Sequence, residues 1–94
     1  MDEIEARSIL GQELSHYRAF SYSELLALVD TANTIEHTAP SGTKYQIEMQ
    51  VLFDDQQRKT LRILGAVDDF SLRKTISPLC DSFIMAPDGS FLGE

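Results

Sequence analysis

Apolar residues recur at helical spacing over the first thirty positions and at every second position thereafter. Leu10, Leu14 and Tyr17 stand at i, i+4 and i+7, one stripe of a helix over about residues 2–20, with Ile4 looser in register. Gly11 weakens that helix by about 1 kcal/mol, and Asp2, Glu3 and Glu5 suit the positive end of its dipole. Ser21 and Glu24 then have the spacing of a capping box, with Phe20 and Leu25 placed as its hydrophobic staple. This predicts a second helix from Tyr22 to about Val29 that buries Leu25, Leu28 and Val29. Asp30 to Asn33 reads as a stop and a loop.

From Thr34 the period is two. Ile35 and His37 alternate with Glu36 and Thr38, and Tyr45, Ile47, Met49, Val51 and Phe53 alternate with Lys44, Gln46, Glu48 and Gln50. Leu61, Ile63 and Val67 resume the apolar face after the polar stretch Asp54 to Lys59. Ala39-Pro40-Ser41-Gly42-Thr43 and Ala86-Pro87-Asp88-Gly89-Ser90 share one turn chemistry: proline presets φ, and glycine takes the left-handed residue of a three-residue loop. His37 is then opposite Tyr45, Ile35 opposite Ile47, Met85 opposite Phe91 and Ile84 opposite Leu92. Matching the apolar faces of the middle hairpin sets Phe53 against Leu61, Val51 against Ile63, Met49 against Gly65 and Tyr45 against Asp69. Residues 70–81 read as an irregular crossover or a short helical turn, which leaves the place of the last hairpin open. The expected fold is α+β: two N-terminal helices on one face of a mainly antiparallel meander sheet of four to five strands, in one domain over residues 1–94.

Composition narrows the function more than it defines it. Fifteen acids against eight bases give a net charge of −7, so the chain lacks the clustered cations that nucleic acid or an anionic membrane surface needs. The acidity reads first as solubility, with an acidic decoy for a basic partner as a minor alternative. A lone cysteine, Cys80, fits a reducing compartment. The acidic N-terminus is unlike a signal peptide, and no apolar run reaches the ~20 residues of a membrane span. The expected location is the cytoplasm.

No standard catalytic or phosphate-binding motif is present, no cofactor is implied, and two histidines with one cysteine do not make a usual zinc site. An enzyme is therefore not the first reading. The strand registers set His37, Tyr45 and Asp69 side by side on the face that meets the helices, where a carboxylate and a phenol beside an imidazole would line a small-ligand or weak enzymatic pocket. The plainer reading has His37 and Tyr45 packed at the sheet margin with their polar tips satisfied. Cys80 reads as a small buried hydrophobe, and His16 as a helix-end residue. Asp54-Asp55 and Asp68-Asp69 fall at opposite ends of the middle hairpin and form no single site.

On the opposite sheet face, Leu52 and Leu64, together with Ile84 and Leu92, interrupt a polar surface. If clustered, they form an apolar patch of the kind that marks an interface. A protein-interaction domain, acting as a homodimer or on a protein partner through this face, is the leading expectation. The segments 20–26, 45–51 and 82–94 resemble those of small bacterial proteins to which no activity is assigned. The resemblance implies a free-standing bacterial domain and assigns no functional residue.

Overall fold

The computed structural model describes residues 2–69 and 78–94. Helix α1 (Glu3–Arg18) begins at Asp2, whose carboxylate accepts the Glu5 N–H at 3.1 Å. Helix α2 (Tyr22–Leu26) starts with the capping box: Ser21 Oγ accepts from the Glu24 N–H at 3.1 Å, and Glu24 Oε1 accepts from the Ser21 N–H at 2.8 Å. This helix is three residues shorter than the sequence pattern predicts. The Leu28 and Val29 N–H groups each bond a carbonyl three residues back, Asp30 turns into the left-handed region (φ 67°), and its N–H donates to the Val51 carbonyl. The chain is thus pairing with the sheet before its hydrophobic alternation begins, and Thr31–Asn33 are strand rather than loop.

Five strands follow: β1 (Thr31–Thr38), β2 (Lys44–Asp55), β3 (Thr60–Asp69), β4 (Leu79–Met85) and β5 (Phe91–Leu92). They form an antiparallel meander in the order β1-β2-β3-β4-β5. Every register inferred from turn chemistry and parity is present, including His37–Tyr45, Tyr45–Asp69, Met49–Gly65 and Met85–Phe91. Gly42 and Gly89 sit at φ 90° and 87°, the left-handed residues of two matching turns. In each turn the residue before proline accepts the glycine N–H at 2.8 Å. The last hairpin lies beside β3, because Phe83 and Met85 continue the inner face opposite Ile63 and Leu61. A bulge between Phe53 and Asp55 leaves Asp54 out of the β2–β3 pairing.

Both helices belong to the core on one sheet face, but α1 is off centre and packs over β3 and β4. Gly65 permits that seat. A Cβ there would fall 2.7 Å from Leu10 Cδ1 and 2.9 Å from Met49 Sδ, so the helix and the cross-strand methionine close over bare backbone. Leu10, Leu14, Tyr17, Leu25, Met49, Ile63 and Val67 are buried around it, joined by Ala6 and Ile9 from α1.

The C-terminal end of α1 is tied down by Arg18. Its guanidinium makes a two-point ion pair with Glu94 (2.8 and 2.6 Å) and lies 4.6 and 4.8 Å from the ring centres of Phe83 and Phe91. The pair holds the Glu94 carboxyl below, and the Arg18 guanidinium above, its ordinary pKa.

Several side chains are placed otherwise than the sequence suggests: Leu28, Val29, Phe53 and Phe91, expected in the core, are half-buried and pack against it. Ile35 is only half-buried, because α1 does not extend over β1. Cys80 is exposed rather than buried, since pairing with Ala66 turns it to the face without helices. The irregular crossover expected over 70–81 proves to be strand from Leu79 onward, and its remainder, 70–77, lies outside the described residues.

Gly65→Ala should lower unfolding stability by about 1–3 kcal/mol, because the added methyl overpacks a filled contact; urea unfolding measures it. Arg18→Ala should cost about 1 kcal/mol, chiefly through lost stacking on the two rings. Arg18→Lys should restore only part of that, since an ammonium cannot bond a carboxylate at two points in this fork geometry.

Candidate functional site

The off-centre seat of α1 opens a groove of about 690 Å³ between the first half of the helix and the end of β1 with its turn. Asp2, Ile4, Glu5 and Ile9 line it from the helix, His37 and Pro40 from the strand and turn. Among the described residues, no lysine or arginine lines it. Ile4, the residue looser in helical register, is 85% exposed at its rim.

His37, Tyr45 and Asp69 do form a row across three strands on the helix-facing side. Their surroundings differ. Half-buried His37 borders the groove, whereas Tyr45 is sealed beneath it with no exposed surface. The Tyr45 hydroxyl donates to Glu5 Oε1 at 2.7 Å, and the Ser41 hydroxyl donates to the same oxygen at 2.8 Å. Burial first, then the hydrogen bond to Glu5 and the nearby negative charges of Glu5, Asp2 and Asp69, push the Tyr45 phenol up to about 12. Asp69 is half-buried at the end of β3, and its charge reaches Tyr45.

Glu5 is thus the residue that joins the row to the groove, and sequence reasoning assigned it only to the helix dipole. Its position on α1 gives no hint of contact with a strand forty residues away, because the crossing angle of helix and sheet is a tertiary property. Among the described residues, none donates a hydrogen bond to the second Glu5 oxygen, Oε2. A concave, acidic, partly apolar wall of this kind suits a cationic or hydrogen-bond-donating group with an aliphatic portion. Also among the described residues, no group of three or more histidine, cysteine or acidic side chains is arranged to hold a metal ion.

The other sheet face carries the second candidate. Leu52, Arg62, Ile84 and Leu92 make one row across four strands, and Leu64 follows in the next row between Gln50 and Ser82. Ile84 and Leu92 are direct partners; Leu64 is diagonal to Leu52 and Ile84, roughly 7–8 Å away in such geometry. Arg62 divides the row, held by two bonds to Asp54 Oδ1 (3.1 and 2.8 Å) and one to Ser82 Oγ (3.0 Å). The apolar residues therefore surround a neutralised ion pair. Leu52, Leu64 and Ile84 are half-buried, and Leu92 is 42% exposed.

Comparison with models of known families, with characterised proteins and with solved structures finds no match. The similarity to small bacterial proteins gains nothing from it, and the functional argument rests on this geometry alone. No described helix is long and apolar enough to cross a membrane.

The Tyr45 arrangement makes a pH prediction. The folded phenol ionises near 12, against 10 for an ordinary tyrosine. Below pH 10 the proton is bound in both states and the full contribution to stability is present. Between 10 and about 12 the unfolded chain loses it first, so stability falls as pH rises. Tyr45→Phe should flatten this alkaline decline, as followed by chemical unfolding between pH 9 and 12; an unchanged slope would separate the decline from Tyr45.

Proposed function

We propose that this chain is a non-enzymatic interaction domain that self-associates through the outer sheet face. One observation carries the reading: both helices pack on the opposite face, so no described helix covers Leu52, Leu64, Ile84 and Leu92. Strands of 8, 12, 10, 7 and 2 residues, at about 3.3 Å per residue and about 4.8 Å spacing, give this face a plan area of roughly 600 Å². That approaches the ~800 Å² per partner of a standard interface. Sheet-on-sheet packing of two such faces is a familiar architecture.

Local charge at the centre of this face does not oppose a second copy as the occupant. A chain of net charge −7 repels its own kind, yet the centre of this face is locally balanced by the Arg62–Asp54 pair. Ala66 and Cys80, adjacent on the same face, are small enough to let a neighbour approach closely. Burying each leucine or isoleucine there would contribute up to about 1.5–3 kcal/mol.

A ligand pocket at His37, with Tyr45 and Asp69 behind it, is the second reading. The acidic groove at the end of that row favours it.

Light scattering after size-exclusion chromatography, over a range of concentrations, should give about twice the 10.6 kDa chain mass. Leu64→Glu should return the chain mass with unchanged far-ultraviolet circular dichroism. A wild-type mass of 10.6 kDa at every concentration would sink the self-association reading.

A further inference from the structure

β1 is an edge strand of eight residues, and its outer side is free of any described strand. Edge strands are commonly protected by lysine, proline, a bulge or brevity. β1 contains no lysine or proline and pairs with β2 without a bulge, whereas the opposite edge, β5, has two residues. The Ala39 N–H donates to the Thr43 carbonyl at 2.9 Å, which makes that a hydrogen-bonded pair. By antiparallel alternation His37–Tyr45, Ile35–Ile47 and Asn33–Met49 are hydrogen-bonded pairs as well. The N–H and C=O groups of Thr34, Glu36 and Thr38 therefore point away from β2, toward the open edge.

Two concavities among the described residues border this strand. The 690 Å³ groove lies at its C-terminal end, between His37 and α1, and a smaller one of about 170 Å³ lies at its N-terminal end beside Thr31 and Ala32. A chain paired along β1 would alternate its side chains, one set toward α1 and the other toward the outer face. The set facing α1 would meet Asp2 and Glu5, with Glu5 Oε2 receiving no hydrogen bond from any described residue. Lys44, opposite Thr38, is on the other face.

We propose that β1 and the α1 groove together form a strand-addition site for an extended basic peptide segment of a protein partner, with Lys or Arg at alternate positions in the acidic groove. This deepens the second reading of the groove and is independent of the outer-face pairing. Backbone pairing supplies affinity, and the groove carboxylates select cationic side chains.

The test is a nuclear magnetic resonance titration and amide exchange measurement on the ¹⁵N-labelled chain. The probe is a capped eight-residue peptide alternating lysine and valine. The Thr34, Glu36 and Thr38 amides should gain exchange protection while the Glu5 and His37 signals shift. Replacing the lysines by glutamate should weaken binding roughly tenfold or more, as charge reversal at a complementary surface does. Methylating alternate peptide nitrogens should abolish it without touching the protein. Thr34→Pro, which removes an outward N–H that an edge strand can spare, should do the same from the protein side. Shifts confined to the groove, with no protection on β1, would overturn strand addition while leaving the groove a cation-binding site. No response to the peptide at all, or equal binding of its glutamate counterpart, would overturn the proposal outright.

Discussion

The contact between α1 and the bare backbone of Gly65 governs how this molecule is laid out. A short chain has helix enough to cover only part of one face of a five-stranded sheet. Where that helix sits decides what else the fold exposes. Leu10 settles over Gly65 because no Cβ holds it off, with Met49 closing in from the neighbouring strand. The seat places α1 over β3 and β4, and Arg18 pins its far end through Phe83, Phe91 and Glu94.

Everything on the β1 side follows from that displacement. Ile35 loses its cover, Ile4 has no surface to pack against, and a groove opens between the helix and the edge strand. Among the described residues, the polar ties across the gap are those that Glu5 Oε1 accepts from Ser41 and Tyr45. They are strong for their number. Two hydroxyls share one charged oxygen, one of them fully buried, and charge-assisted bonds of this type exceed neutral ones in strength. The same carboxylate that anchors the helix gives the groove its negative character.

The outer face answers to a different constraint. With the helices spent on the inner side, no described helix shields its leucines and isoleucine. The Arg62–Asp54–Ser82 network keeps a charged row centre satisfied where bare apolar strands would invite indiscriminate association. Its aliphatic stem lies among the apolar residues, so the face is mixed rather than oily.

The chain's local chemistry was highly legible. Capping residues, two proline–glycine turns and strict alternation in residues 44–53 specified both turns and, because parity in a strand leaves no half-measures, the registers of the β1–β2, β2–β3 and β4–β5 pairs, but not that of β3 with β4. The row of His37, Tyr45 and Asp69 followed from those registers. Thr31–Asn33 were misread, since a strand with no apolar residue on its inner positions shows no alternation, and its pairing with β2 was visible only from the partner. Cys80 was misread because nothing near it announces where β4 begins. The sequence by itself thus determined which residues pair in the three hairpins with legible turns or alternation, a consequence of short-range sterics and hydrogen bonding. Only the tertiary structure decided where α1 crosses the sheet, and so that Glu5 reaches Tyr45, that Ile35 is half bare and that a groove runs beside an open edge. That crossing depends on the void over Gly65 and on contacts between residues some fifty positions apart, a packing outcome that no local pattern encodes.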